Sequence, residues 1–244
     1  MFRLILSTIL APLRALMPAT PTGIEDDELE TCGKLAVAEL TRLWKLDIYD
    51  PRHTDDSANA DRCRALILDI IRDGGGWTWI DEYTGDGSLG NEQWCGFTAG
   101  KGWAKWIPAE VRRDWWASCF RLDHWASYRD MVIGKKTYKN VKRPAVGGRL
   151  YAKFDAKSTT LPFEPRAGDI LIVGHGELKH ICVVRGYDAK RRVFLTIEGN
   201  GSGAGPDGKK QHGMVIAERP LGSRSKNDYY AMRLIRPAAT DLIA

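Results

Sequence analysis

The 244-residue sequence carries five cysteines, Cys32, Cys63, Cys95, Cys119 and Cys182, but no C-x-x-C pair and no tight cysteine–histidine spacing. A structural zinc site is therefore not expected, and an odd set of scattered thiols gives no disulfide framework. Cys32 with Cys63, on neighbouring expected helices, is the one pair that an oxidising compartment would test. No apolar run is long enough to span a bilayer. Strong charge of one sign is also missing: the net charge of +5 is spread along the chain without a dense basic block. That balance argues against a nucleic-acid partner and suits a polyanionic surface such as a bacterial wall. Internal repeats and low-complexity segments are absent too, which removes solenoids and flexible linkers from consideration.

What is present is a chain with 43% hydrophobic residues, enough for a sizeable core in one large domain. Residues 1–23, MFRLILSTILAPLRALMPATPTG, combine a basic residue with an apolar run interrupted by Pro12 and Arg14. They lack a clean small-x-small cleavage site and are read as a retained arm. Such an arm packs on its own domain, on a partner protein, or on a membrane surface. Residues 24–74 read as a helical region. Leu29, Ala36, Leu40, Leu43 and Trp44 recur at helical spacing, with acids in the first turn. Ser57 then starts a second stripe through Cys63, Leu66, Ile67, Ile70 and Ile71, which ends at Gly74-Gly75-Gly76. Residues 77–93 read as an acidic, glycine-rich loop.

From Trp94 to Trp106 apolar residues return at threes and fours, and Pro108 opens a further helix through Val111, Trp115, Cys119, Leu122 and Trp125. After an irregular basic stretch from about 134 to 166 the period shortens to two. The segments 169–174, 180–187, 192–198, 213–219 and 229–236 are five strand candidates joined by short turns. Short links favour antiparallel pairing. Helices followed by a sheet of about five or six strands define an α+β architecture, with one domain over 75–237 and a tail over 238–244.

Cys95 stands at an expected helix start, where the positive end of the dipole favours a thiolate and first-turn amides can hold an oxyanion. His180 opens the strand HICVV and is the imidazole best placed to serve as base; His175 lies in the preceding turn. Glu198 and Asn200, two apart on the next strand, share one face there, so that either one faces His180 and orients its ring while the other supports the site. Of nine tryptophans, all but Trp44 lie between residues 77 and 125. Most are expected to pack in the core, with Trp77, Trp79 and Trp94 as the substrate contacts.

The run of WCGF at 94–97, PRAGDILIV at 165–173, HICVV at 180–184 and TIEGN at 196–200 resembles the CHAP family, cysteine, histidine-dependent amidohydrolases and peptidases of the papain-like superfamily. The resemblance covers about residues 75–237. It implies a papain-like fold and hydrolysis of amide bonds in peptidoglycan, as an N-acetylmuramoyl-L-alanine amidase or murein endopeptidase. Such enzymes occur in phage lysins, virion-associated hydrolases and autolysins, so a virion-associated or exported location follows. Position by position, Cys95 becomes nucleophile, His180 base and then acid, Glu198 the orienting group, and Asn200 its assistant. The long interval between Cys95 and His180 implies an insertion around 125–155, and Gly96 departs from the polar residue or alanine of many relatives. Some relatives bind calcium just before the cysteine. Here Asp81, Glu82, Asp86 and Asn91 are the available oxygen ligands, without an ordered EF-hand series, and no cofactor or metal is expected. Two other readings stand beside this one: a virion or tail component whose papain-like domain is non-catalytic, and a cysteine protease acting on proteins.

Overall fold

The structure is a computed structural model that describes residues 26–51, 57–75, 94–127, 131–133, 136–138, 149–154, 160–175, 179–221 and 230–243. The arm 1–23, Trp77, Trp79 and the acidic residues of 81–91 lie outside them. The two expected amphipathic helices form as α1 (Asp26–Trp44) and α2 (Ser57–Asp73). α3 (Cys95–Gly102) follows, then α4 (Ala109–Val111), a π-helical turn (Arg112–Trp116) and α5 (Cys119–Ala126). No helix among the described residues is long and apolar enough to cross a membrane.

The single helix expected from Pro108 to Trp125 is in fact broken. Ser118 takes an extended backbone and its side chain accepts from the Arg121 N–H, so a new helix starts at Cys119. The preceding turn widens where buried Arg112 reaches inward, its Nε donating to the Ile107 carbonyl at 3.0 Å.

The strands are β1 (Met131–Ile133), β2 (Lys136–Tyr138), β3 (Leu150–Phe154), β4 (Ile170–His175), β5 (His180–Asp188), β6 (Val193–Ala204), β7 (Lys210–Pro220) and β8 (Tyr230–Arg236). β1 and β2 form a separate hairpin, and the other six make one antiparallel sheet in the order β3-β8-β4-β5-β6-β7. The fold is therefore α+β. β3 falls inside the stretch read as irregular: it is a short edge strand with one neighbour, Ala152 lying opposite Leu234. β6 runs past the expected end at Glu198 to Ala204, because its glycine-rich half still pairs with β7. His175 closes β4 instead of lying in the turn.

Period-two alternation sorts the sheet into two faces. Ile170, Ile172, Ile181, Val183 and Ile197 pack under the helices with Leu40, Ile67, Trp94 and Trp116. Leu171, Val173, Cys182, Val184 and Phe194 form a smaller cluster on the other face. The helical region 24–74 thus shares one core with the sheet. The expected tail is also fastened: Leu242 joins that core, and the Asp241 carboxylate is gripped at both oxygens, 2.8 Å each, by buried Arg149. All five cysteines are free thiols, so Cys32 and Cys63 are not joined.

Candidate active site

α3 carries Cys95 as its first residue, with Trp94 at the N-cap. The helix lies deep, packed between α1, α2 and the underside of β5 and β6, and every residue except Lys101 is buried. Gly96 explains why the chain can enter there. A Cβ at Gly96 would sit 2.2 Å from the Trp116 carbonyl oxygen, so a close backbone approach requires glycine at this position.

His180 enters from the first position of β5, and Glu198 from the neighbouring strand β6. His180 Nε2 and Glu198 Oε2 are 2.8 Å apart. Because an ionised carboxylate only accepts, Nε2 carries the hydrogen and donates, which leaves Nδ1 for Cys95. Cys95, 4% exposed, lies close enough to His180, to the Cys119 thiol and to the backbone N–H of Ile181 for each to act on its titration. The structure thus brings thiol, imidazole and carboxylate together in one relay.

Each titration in the relay has a physical cause. The hydrogen bond from Cys119, against the opposing effect of burial and with help from His180, holds the Cys95 thiol well below its ordinary value. Burial would pull His180 down, but its bonds to Cys95 and Glu198 win and raise it from 6.5 to about 9. Burial would likewise lift Glu198, yet His180 and Arg219 hold it at about 2. These directions favour a thiolate–imidazolium pair steadied by a carboxylate.

Three members were not read from the sequence. Arg219, on β7, donates from Nε to Glu198 Oε1 at 2.9 Å and from its second amino group to Oε2. Thr196 donates from its hydroxyl to Glu198 Oε1. Both sit at period-two positions facing Glu198 across or along the pleat, a signal visible only once the β6–β7 register is known. Cys119 has the spacing of one more apolar residue of a continuous helix; the break at Ser118 makes it the first residue of α5 instead.

Two expectations change. Asn200 does not continue the alternation from Glu198, since a register shift falls between Glu198 and Gly201 and Asn200 has a left-handed φ of 53°. The bulge gives the two residues unequal positions. Trp94, expected as a substrate contact, is fully buried, and a Cβ at Gly199 would lie 2.6 Å from its ring. It forms the inner wall behind Cys95. Among the described residues no group of three His, Cys, Asp or Glu side chains is arranged to hold a metal ion.

No family model matches the chain, and no curated protein or solved structure matches it.

Proposed function

We propose that the protein is a cysteine amidohydrolase that cleaves amide bonds of peptidoglycan, as an amidase or endopeptidase used in cell-wall degradation by a phage or bacterium. The observation that carries the reaction type is the Cys95–His180–Glu198 relay, with Nε2 of His180 fixed on Glu198 and the thiol beside the same ring. The wall as substrate is supported by the four CHAP-like segments in their order and by the net positive charge, which suits a polyanionic wall.

In this reaction the Cys95 thiolate attacks the amide carbonyl, and the oxyanion is held by first-turn amides of α3, which have no intrahelical acceptor. The His180 imidazolium then passes its Nδ1 proton to the leaving amine. Water attacks the thioester with neutral His180 as base, releasing the acid and restoring the thiol. Glu198 stays ionised throughout, stabilising the imidazolium and fixing its tautomer.

Purified cell walls provide the test. Cys95→Ala is expected to abolish release of muropeptides or free stem peptides, read by mass spectrometry, while circular dichroism stays unchanged. Lysis by that variant would end the assignment. Protein substrates in the same assay separate a general cysteine protease from a wall enzyme. The slight exposure of Cys95 favours a second reading, a virion or tail component with a non-catalytic papain-like domain. Alkylation of Cys95 against pH decides between them. A catalytic thiol keeps its plateau rate well below pH ~8.5, the free-thiol value, and loses that in His180→Ala; a non-catalytic one titrates near it in both.

A further inference from the structure

We propose that Cys95 and Cys119 form a reversible disulfide under hydroperoxide, making Cys119 a resolving thiol and the pair an oxidative modification site that silences Cys95. The effect on wall cleavage rests on the hydrolase reading; the cross-link does not.

The two thiols lie close enough for each to act on the other's titration. Each is the first residue of its helix, α3 or α5, and the backbone at Gly96 lies against Trp116 and Ala117 just before α5. The contact is therefore fixed by packed backbone on both sides. Cys95 is 4% and Cys119 8% exposed, so a water-sized oxidant fits the approach better than a bulky disulfide. Of the other thiols, Cys182 is near enough to Glu198 and Cys95 to feel both but donates to the Leu171 carbonyl at 3.3 Å, and Cys63 donates to the Asp47 carbonyl at 3.8 Å. Cys32 lies on α1.

The chemistry balances with hydrogen peroxide as oxidant. The Cys95 thiolate attacks one peroxide oxygen, the O–O bond breaks, and the departing hydroxide takes the His180 imidazolium proton to leave as water. Cys95 is then a sulfenic acid. The Cys119 sulfur attacks the Cys95 sulfur, the S–O bond breaks, and hydroxide leaves with the Cys119 proton as a second water. Peroxide has gained the two electrons that the two thiols lost. In the reduced protein the hydrogen bond to Cys95, together with burial, keeps Cys119 firmly protonated. That restraint falls away once Cys95 has lost its charge, so the second step follows the first.

The experiment treats the full-length protein with hydrogen peroxide, then maps peptides under non-reducing conditions and measures Cys95 alkylation before and after dithiothreitol. Wild type is expected to yield a Cys95–Cys119 cross-linked peptide, lose alkylation about tenfold or more, and regain it on reduction. In Cys119→Ser and Cys119→Ala the loss should persist after reduction, with Cys95 advanced to sulfinic acid; either variant suffices if the other fails to fold. A cross-link to Cys182, or irreversible oxidation of Cys95 at the same rate in wild type and variants, would overturn the proposal. Assaying reduced wild type on cell walls keeps the two ideas apart. A cross-link without lysis sinks the hydrolase reading alone, and lysis without a cross-link sinks this one alone.

Discussion

Two arginine–carboxylate forks, each on a buried carboxylate, sit at different places in the fold. At one end Arg149 and Asp241, each side chain 1% exposed, pair at both oxygens, and the guanidinium lies 3.8 Å from the centre of the Trp125 ring. On the β6–β7 side Arg219 grips Glu198, whose carboxylate also receives His180 and Thr196. The pairing chemistry is the same, and the third partner differs. An aromatic ring completes a clasp that fastens β3 and the chain end to α5; an imidazole turns the second fork into a charge holder for Cys95. A buried ion pair is therefore no sign of function until its remaining contacts are named.

This contrast can be broken at the clasp first. Asp241→Ala leaves a buried arginine uncompensated and is expected to cost about 3–5 kcal/mol in denaturant unfolding. The pH profile of Cys95 alkylation in the folded protein should not move. If it does, the two forks are coupled. Glu198 offers the next largest effect. Its folded pKa of about 2 lies below the ordinary 4.5, so its stabilisation is complete above pH 4.5 and is lost as pH falls towards 2. Unfolding free energy should drop by about 3 kcal/mol across that window. In Glu198→Gln that loss should be absent, as an acid titration followed by tryptophan fluorescence would show.

The same Glu198→Gln substitution removes the charge that favours imidazolium. Cys95 alkylation at neutral pH is expected to fall by roughly 2 kcal/mol in rate terms, between tenfold and a hundredfold. An unchanged rate would leave Glu198 a purely structural group. Arg219→Gln should be milder, about 1 kcal/mol, because Glu198 keeps His180 and Thr196 while burial lifts its pKa. Its signature is an upward move of the acid limb of the alkylation profile, partly restored in Arg219→Lys, whereas a merely structural arginine would change stability alone.

Much of the relay was legible in the primary structure. A thiol between Trp94 and Gly96 at the start of a helical period, a histidine opening an apolar strand and a glutamate on the next strand are local patterns, and each element formed where its period put it. β3 escaped because five alternating residues in a basic stretch are a faint signal for an edge strand. The break at Ser118 was masked by apolar residues that keep helical spacing on both sides of it. The position of Asn200 depended on a bulge, and a bulge arises from how two strands pair.

By itself the sequence determined the α+β order and put Cys95 at a helix start and His180, Glu198 and Asn200 on strands, because hydrophobic period and helix or strand position are properties of neighbouring residues. Only the tertiary structure decided that Arg219 grips Glu198, that Cys119 meets Cys95, that Trp94 is a wall and that the chain end is clasped by Arg149. Those meetings join residues distant in sequence. They are set by strand register and by how closely backbones approach at glycines such as Gly96, which no local pattern records.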